Sequence, residues 1–112
     1  MGITAASVRR LALALPEATE APHHEMTSFR VAGKIFATLP PELDRVHIFV
    51  AADEVAAYVA EYPDTVEELW WGTRLRGCRV MLWRATSALV RELLAEAWRH
   101  RAPKKMLDQF DG

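Results

Sequence analysis

The sequence predicts an α+β domain of two layers, an antiparallel five-stranded sheet with helices on one face, in the order α-β-β-β-α-β-β-α. Three observations carry this. The stretch "SFRVAGKIFATL" at 28–39 alternates apolar and polar residues about one glycine, as the two arms of a hairpin do. Residues 88–101, "ALVRELLAEAWRHR", repeat apolar side chains at helical spacing. The strand-like runs also come in groups, three and then two, instead of alternating singly with helices, which argues against a wound parallel sheet.

Thr4 is placed to cap a first helix over "AASVRRLALAL", where Val8, Leu11 and Leu15 recur at helical spacing and Pro16 supplies the stop. Residues 17–25 read as a polar connector. "MTSFRVAG" and "KIFATL" come next as two strands joined at Ala32-Gly33, where glycine supplies the positive φ of a tight turn. Strict alternation puts Phe29, Val31, Ile35, Ala37 and Leu39 inward and Ser28, Arg30, Lys34, Phe36 and Thr38 outward. After "PPELD", the run "RVHIFV" is a third strand with Val46, Ile48 and Val50 inward and Arg45, His47 and Phe49 outward.

Asp53 is the expected N-cap of a second helix, "EVAAYVAEY", whose Val55, Val59 and Tyr62 form a narrow apolar stripe ended by Pro63. "TVEELWWGTRLRGCRVMLWR" reads as strands at 65–71 and 78–83 separated by a basic, flexible loop with Gly72 and Gly77. Thr86 or Ser87 caps the last helix, with Leu89, Val90, Leu93, Leu94, Ala97 and Trp98 facing the core and Arg99, His100 and Arg101 complementing the C-terminal dipole. Pro103 ends it, and "KKMLDQFDG" is left as a short basic tail over the sheet.

The 112 residues suit a single domain over 1–112, long enough to bury about two thirds of its unfolded surface. Hydrophobic residues make up 51% and charged residues 26%, outside the disordered and fibrous classes. The single Cys78 excludes an internal disulfide, no secretory signal or membrane-length apolar run is visible, and the expected location is the cytoplasm. Net charge is −1 but unevenly spread. Residues 1–69 hold 5 basic and 11 acidic side chains, a net of −6, and residues 70–112 hold 9 basic and 4 acidic, a net of +5.

The residues bring up several chemistries and exclude most of them. Gly33, Gly72 and Gly77 are isolated turn residues, so neither a phosphate-cradling loop nor a dinucleotide fingerprint exists. Glu67 and Glu68 are adjacent on a strand and cannot converge, and Cys78 sits at the start of an apolar strand as a buried thiol would. His23, His24 and Glu25 with His47 lack metal-ligand spacing, and adjacent histidines on a strand would point to opposite faces. The expectation is a protein without enzymatic activity, cofactor or metal.

Four passages, "LPEATE", "SFRVAGKIFATL", "HIFVAADE" and "LLAEAWRHRAPKKML", together resemble the MmcQ/YjbR family of small proteins over almost the whole chain. The resemblance implies an α+β fold similar to the secretion-chaperone-like, double-wing arrangement, and a DNA-binding role without a catalytic motif. The connector here reads "APHHEMTSF" where the family usually has an aromatic or Gly-His element before the Phe, so no ligand site is carried over to it.

For DNA, the candidate phosphate contacts are Arg30, Lys34, Arg74, Arg76, Arg79, Lys104 and Lys105. Of these, Lys104 and Lys105 match the basic pair of the family's closing motif, while Arg74, Arg76 and Arg79 come from the strand and loop reading. Arg30 and Lys34 beside the hairpin turn suit an anion-contacting edge or plain solubility equally. The second partner class is a protein, including a second copy of the chain, met by the outward aromatics Phe36, Phe49 and one of Trp70 or Trp71. No membrane partner is expected.

Overall fold

A computed structural model of the chain describes residues 2–111, with the side chains of residues 2–108. Met1 and Gly112, the two ends of the expected 1–112 span, lie outside the described residues. The elements are α1 (Ala5–Leu13), β1 (Thr19–His23), β2 (Met26–Val31), β3 (Lys34–Leu39), β4 (Arg45–Ile48), α2 (Ala52–Glu61), β5 (Val66–Trp71), β6 (Arg74–Met81), α3 (Ser87–Arg101) and α4 (Lys104–Asp111). The sheet has six antiparallel strands in the order β1-β2-β3-β4-β6-β5. The α+β class stands, and the strand count of five is corrected to six.

The added strand is β1, which falls in the stretch expected to be a connector. "TEAPH" has low strand propensity and contains Pro22, so nothing in it announces a strand. It forms because β2 offers a complete pairing edge, and Pro22 is tolerated because β1 is itself the sheet edge. The second departure is the tail. Residues 104–111 are helical, with Met106 and Leu107 packed against the core.

Helices α1, α2 and α3 cover one face. Thr4 accepts the Ser7 N–H as the N-cap of α1, and Thr86 accepts the Leu89 N–H as the N-cap of α3. The buried residues of α3 are Leu89, Val90, Leu93, Leu94, Ala97 and Trp98, the stripe its periodicity predicts. Trp98 is fully buried and donates its indole N–H to the Pro16 carbonyl at 2.9 Å, tying α3 to the end of α1. For α2, Asp53 is not the N-cap. Ala51 holds that position, and its N–H is accepted by the Glu54 carboxylate at 2.9 Å, with Asp53 in the first turn against the helix dipole.

Two bulges break the strict alternation of the sheet. Phe29 pairs with Ala37 but Arg30 pairs with Ile35, so Phe36 is the extra residue. Phe36 turns into the core with 0% exposure, while Ile35 moves to the uncovered face. That reverses the expected assignment of both side chains. Leu69 pairs with Gly77 but Trp70 pairs with Leu75, so Arg76 is the extra residue of β6.

The expected loop at 72–77 is therefore absent. A two-residue turn at Gly72-Thr73, with Gly72 at φ +61°, joins β5 to a strand that already begins at Arg74. Gly77 is inside that strand for a steric reason. A Cβ on it would lie 2.2 Å from the Ile48 carbonyl oxygen and 2.8 Å from the Phe49 Cα. Only glycine lets the end of β4 cross so close, and the crossing delivers Phe49 to the uncovered face.

Candidate functional site

The uncovered face carries one row of paired residues across the whole sheet: Ala21, Ser28, Thr38, His47, Arg79 and Glu67. Its buried hydroxyls are paired locally, whereas the Arg79 Nε is buried without a hydrogen-bond partner among the described residues. Ser28 donates to the Ala21 carbonyl at 2.7 Å, and Thr38 Oγ1 and His47 Nδ1 are 3.4 Å apart. Burial, with Arg79 and Arg45 nearby, holds the His47 imidazole below its ordinary pKa, so it is neutral in this row at neutral pH.

At one end of this face lies a cleft of about 690 Å³ lined by His23, His24, Met26, Lys34, Ile35, Thr38, Phe49, Trp71, Arg76 and Arg101. Its aromatic wall is Trp71, half-exposed, with Phe49 edge-on at 5.8 Å between ring centres and 72° between planes. The Arg76 guanidinium stacks on this pair, 4.7 Å from the Trp71 ring centre and 6.0 Å from that of Phe49. The β6 bulge puts Arg76 there, and Gly77 next to it admits Phe49.

Two more cations come from the ends of other elements. Lys34 opens β3, and Arg101, the last residue of α3, donates its Nε–H to the Ile35 carbonyl at 3.1 Å. His23 and His24 stand at the rim with ring centres 4.6 Å apart. They do not point to opposite faces as expected, because His24 leaves the strand at φ +57° in the β1–β2 turn. No Asp or Glu is among the described residues lining the cleft. The cleft is positive, aromatic on one side, apolar at Met26 and Ile35, and suited to an anion with a planar ring.

Of the seven residues proposed for DNA, Lys34 and Arg76 line this cleft. Arg74 pairs in register with Trp71 beside it. Arg79 lies farther along the face and is ion-paired to Glu67 at 3.5 Å, and Arg30 is held by the Ser28 hydroxyl at 3.0 Å and the Pro22 carbonyl at 3.4 Å. Lys104 and Lys105 are exposed in the first turn of α4, and the structure does not bring them to the cleft.

The sequence reading missed His23, His24, Ile35, Thr38 and Arg101 as cleft residues. Of the aromatics proposed for a protein partner, Phe36 is in the core, and Phe49 is 4% exposed. Trp71 faces the cleft, while Trp70 lies on the opposite face at the β5 edge and donates its indole N–H to Glu68 at 3.1 Å.

On the helix side, Cys78 is fully buried, and burial with Glu54 nearby pushes its thiol up to about 12. Glu54 and Glu96 lie between α2 and α3. Burial opposes ionisation of Glu54, but the Ala51 N–H and His100 outweigh it and hold the carboxyl below its usual range, whereas burial and the Glu54 charge raise Glu96. Among the described residues no three of His, Cys, Asp or Glu gather as a metal site. Among the described residues no helix is long and apolar enough to cross a membrane.

The family model for YjbR matches residues 13–100. The chain belongs to the YjbR family. Among solved structures it is similar to Deinococcus radiodurans protein DR2400, described by the family-model domain DUF419, with a TM-score of 0.68 and 17% identity over 85% of this chain and 75% of that one. At that identity the likeness is one of fold. No curated protein matches the chain. For this YjbR-family protein, the cleft residues all fall within the matched segment except Arg101, one residue beyond it.

Proposed function

We propose that this YjbR-family chain is a small cytoplasmic, non-enzymatic protein that binds single-stranded DNA on the uncovered face of its sheet, with the cleft as the principal contact. The observation that carries the reading is Arg76 stacked on Trp71 in a cleft whose described lining has three permanent cations and no carboxylate. Positive charge along a groove holds a phosphate backbone, and an accessible aromatic ring stacks a base whatever its identity. A single strand can present its bases to such a wall, and a paired duplex cannot. The role agrees with the one the family resemblance implies, but moves its centre away from Lys104 and Lys105. The non-enzymatic part is supported by Cys78, the only thiol, which is buried in the core and protonated at neutral pH.

The test is fluorescence anisotropy of labelled single- and double-stranded DNA across a salt series. With contacts from Lys34, Arg74, Arg76 and Arg101, the slope of log affinity against log salt for a single strand is about −3. Binding of neither form at low salt overturns the reading.

A protein partner, or a second copy, is a second reading favoured by Trp70 and Trp71, both about half-exposed at one end of the edge strand β5. Sedimentation velocity at rising concentration decides it for self-association. A monomer at every concentration excludes the dimer.

A further inference from the structure

We propose that the cleft is a pocket for a single nucleotide unit bearing a phosphomonoester, supplied either as a free nucleoside monophosphate or as the phosphorylated end of a single strand. The inference rests on the reading of this face as a nucleic-acid surface and names what the cleft holds.

Charge selects the phosphomonoester. An internal phosphodiester carries one negative charge, whereas a phosphomonoester carries about −1.5 to −2 at neutral pH and offers three acceptor oxygens. The cleft answers with Lys34, Arg76 and Arg101 and has no lining carboxylate among the described residues, while His23 and His24 at the rim add hydrogen-bonding ring nitrogens. That is more positive charge than one internal phosphate requires. Both arginines are held in place. Arg76 lies over the Trp71 ring, 4.7 Å from its centre, and the bond from Nε of Arg101 to the Ile35 carbonyl leaves both of its terminal amino groups unused by that bond. A fixed guanidinium fork is what bidentate phosphate recognition uses.

Shape selects one base rather than a run of them. The volume, about 690 Å³, lies in the range of pockets that enclose one small ligand. Phe49, 4% exposed, buttresses Trp71 nearly at right angles, and the half-exposed Trp71 ring is the one surface of the pair on which a single planar ring can stack. Met26 and Ile35 supply apolar contact, and the Thr38 hydroxyl beside the neutral His47 gives a polar group for the edge of the base.

The experiment titrates the full chain with 5′- and 3′-deoxyadenosine monophosphate, deoxyadenosine and inorganic phosphate, read by calorimetry and tryptophan fluorescence. Short single-stranded oligonucleotides with and without a terminal phosphate then compete against a labelled strand. Saturable binding of a monophosphate is expected, with deoxyadenosine weaker by about 10-fold or more, the loss of one charge-assisted contact. Trp71→Leu weakens the monophosphate by about 5-fold or more. Lys34→Ala changes an exposed residue, so it weakens binding without loss of fold, which thermal unfolding checks.

Preference for the phosphorylated oligonucleotide identifies a strand end as the source, and equal oligonucleotides alongside monophosphate binding identify a free nucleotide. If oligonucleotides bind regardless of their ends and no monophosphate saturates, the pocket is overturned while the single-strand reading survives. If a monophosphate binds and no oligonucleotide does, the single-strand reading falls instead. Binding of none overturns both.

Discussion

Arg76 holds its guanidinium 4.7 Å from the ring centre of Trp71, two strands' ends brought together by a bulge on β6 and a two-residue turn at Gly72-Thr73. The pair combines the two elements a single strand needs, a cation for phosphate and a π-face for a base. Trp71→Ala is expected to cost about 1–3 kcal/mol of single-strand affinity, and Trp83→Ala, at least as exposed but outside the cleft, to leave it unchanged. Anisotropy titration of the two variants side by side checks this.

The β3 bulge makes a stability prediction that strict alternation reverses. Phe36 is fully buried, so Phe36→Ala should destabilise by about 3–5 kcal/mol. Ile35 lines the cleft and is partly exposed, so Ile35→Ala should cost clearly less, about 1 kcal/mol. Urea denaturation of both variants gives the comparison, and equal losses would place Ile35 in the core.

Gly77→Ala forces a Cβ to within 2.2 Å of the Ile48 carbonyl oxygen, which is backbone and cannot swing aside. A loss of about 1–3 kcal/mol is expected from overpacking, together with displaced Phe49 and weaker binding in the cleft. Gly33 is different in kind. A Cβ there meets open space, and only its φ of +78° resists substitution, so Gly33→Ala should cost about 1 kcal/mol and leave binding intact. Urea denaturation and anisotropy titration of both variants separate the two effects.

His47 has a folded-state pKa below its ordinary value because of burial, Arg79 and Arg45. The unfolded chain therefore takes up the proton first as pH falls. This contribution to stability is complete above the unfolded pKa near 6.5 and declines as pH drops from there towards the lower folded value. His47→Gln should flatten the fall in melting temperature between neutral and mildly acidic pH. An unchanged pH profile would mean that His47 is not held neutral.

Much of this fold was legible from side-chain periodicity, and the failures have local physical causes. The α3 stripe, the Ala32-Gly33 turn and the alternation of Val46, His47 and Ile48 could be read because each is a property of contiguous residues. Strand β1 could not, since "TEAPH" is a strand only by virtue of the β2 edge it completes. The bulges at Phe36 and Arg76 could not either, because an extra residue leaves the composition of a run unchanged while switching the face of the side chains on one side of it.

The site was legible in part for the same reason. Lys34 and Arg76 stood out as basic residues near turns, and Phe49 and one of Trp70 or Trp71 as outward aromatics. The features that joined the two sets were invisible: the close crossing at Gly77, the left-handed turn at His24, and the bond of Arg101 to Ile35, residues 66 positions apart.

The proposal that single-stranded DNA binds in the cleft is tested most directly by a nitrogen-15 NMR titration of the labelled chain at low salt, following backbone amides and the four tryptophan indoles. Saturable shifts at the Trp71 indole and at the amides of Lys34, Thr38, Phe49 and Arg76, with Trp83 and Lys104 still, are the expected result. Shifts confined to Lys104, Lys105 and the α4 surface, or no shifts at all, would contradict a single-strand site in the cleft.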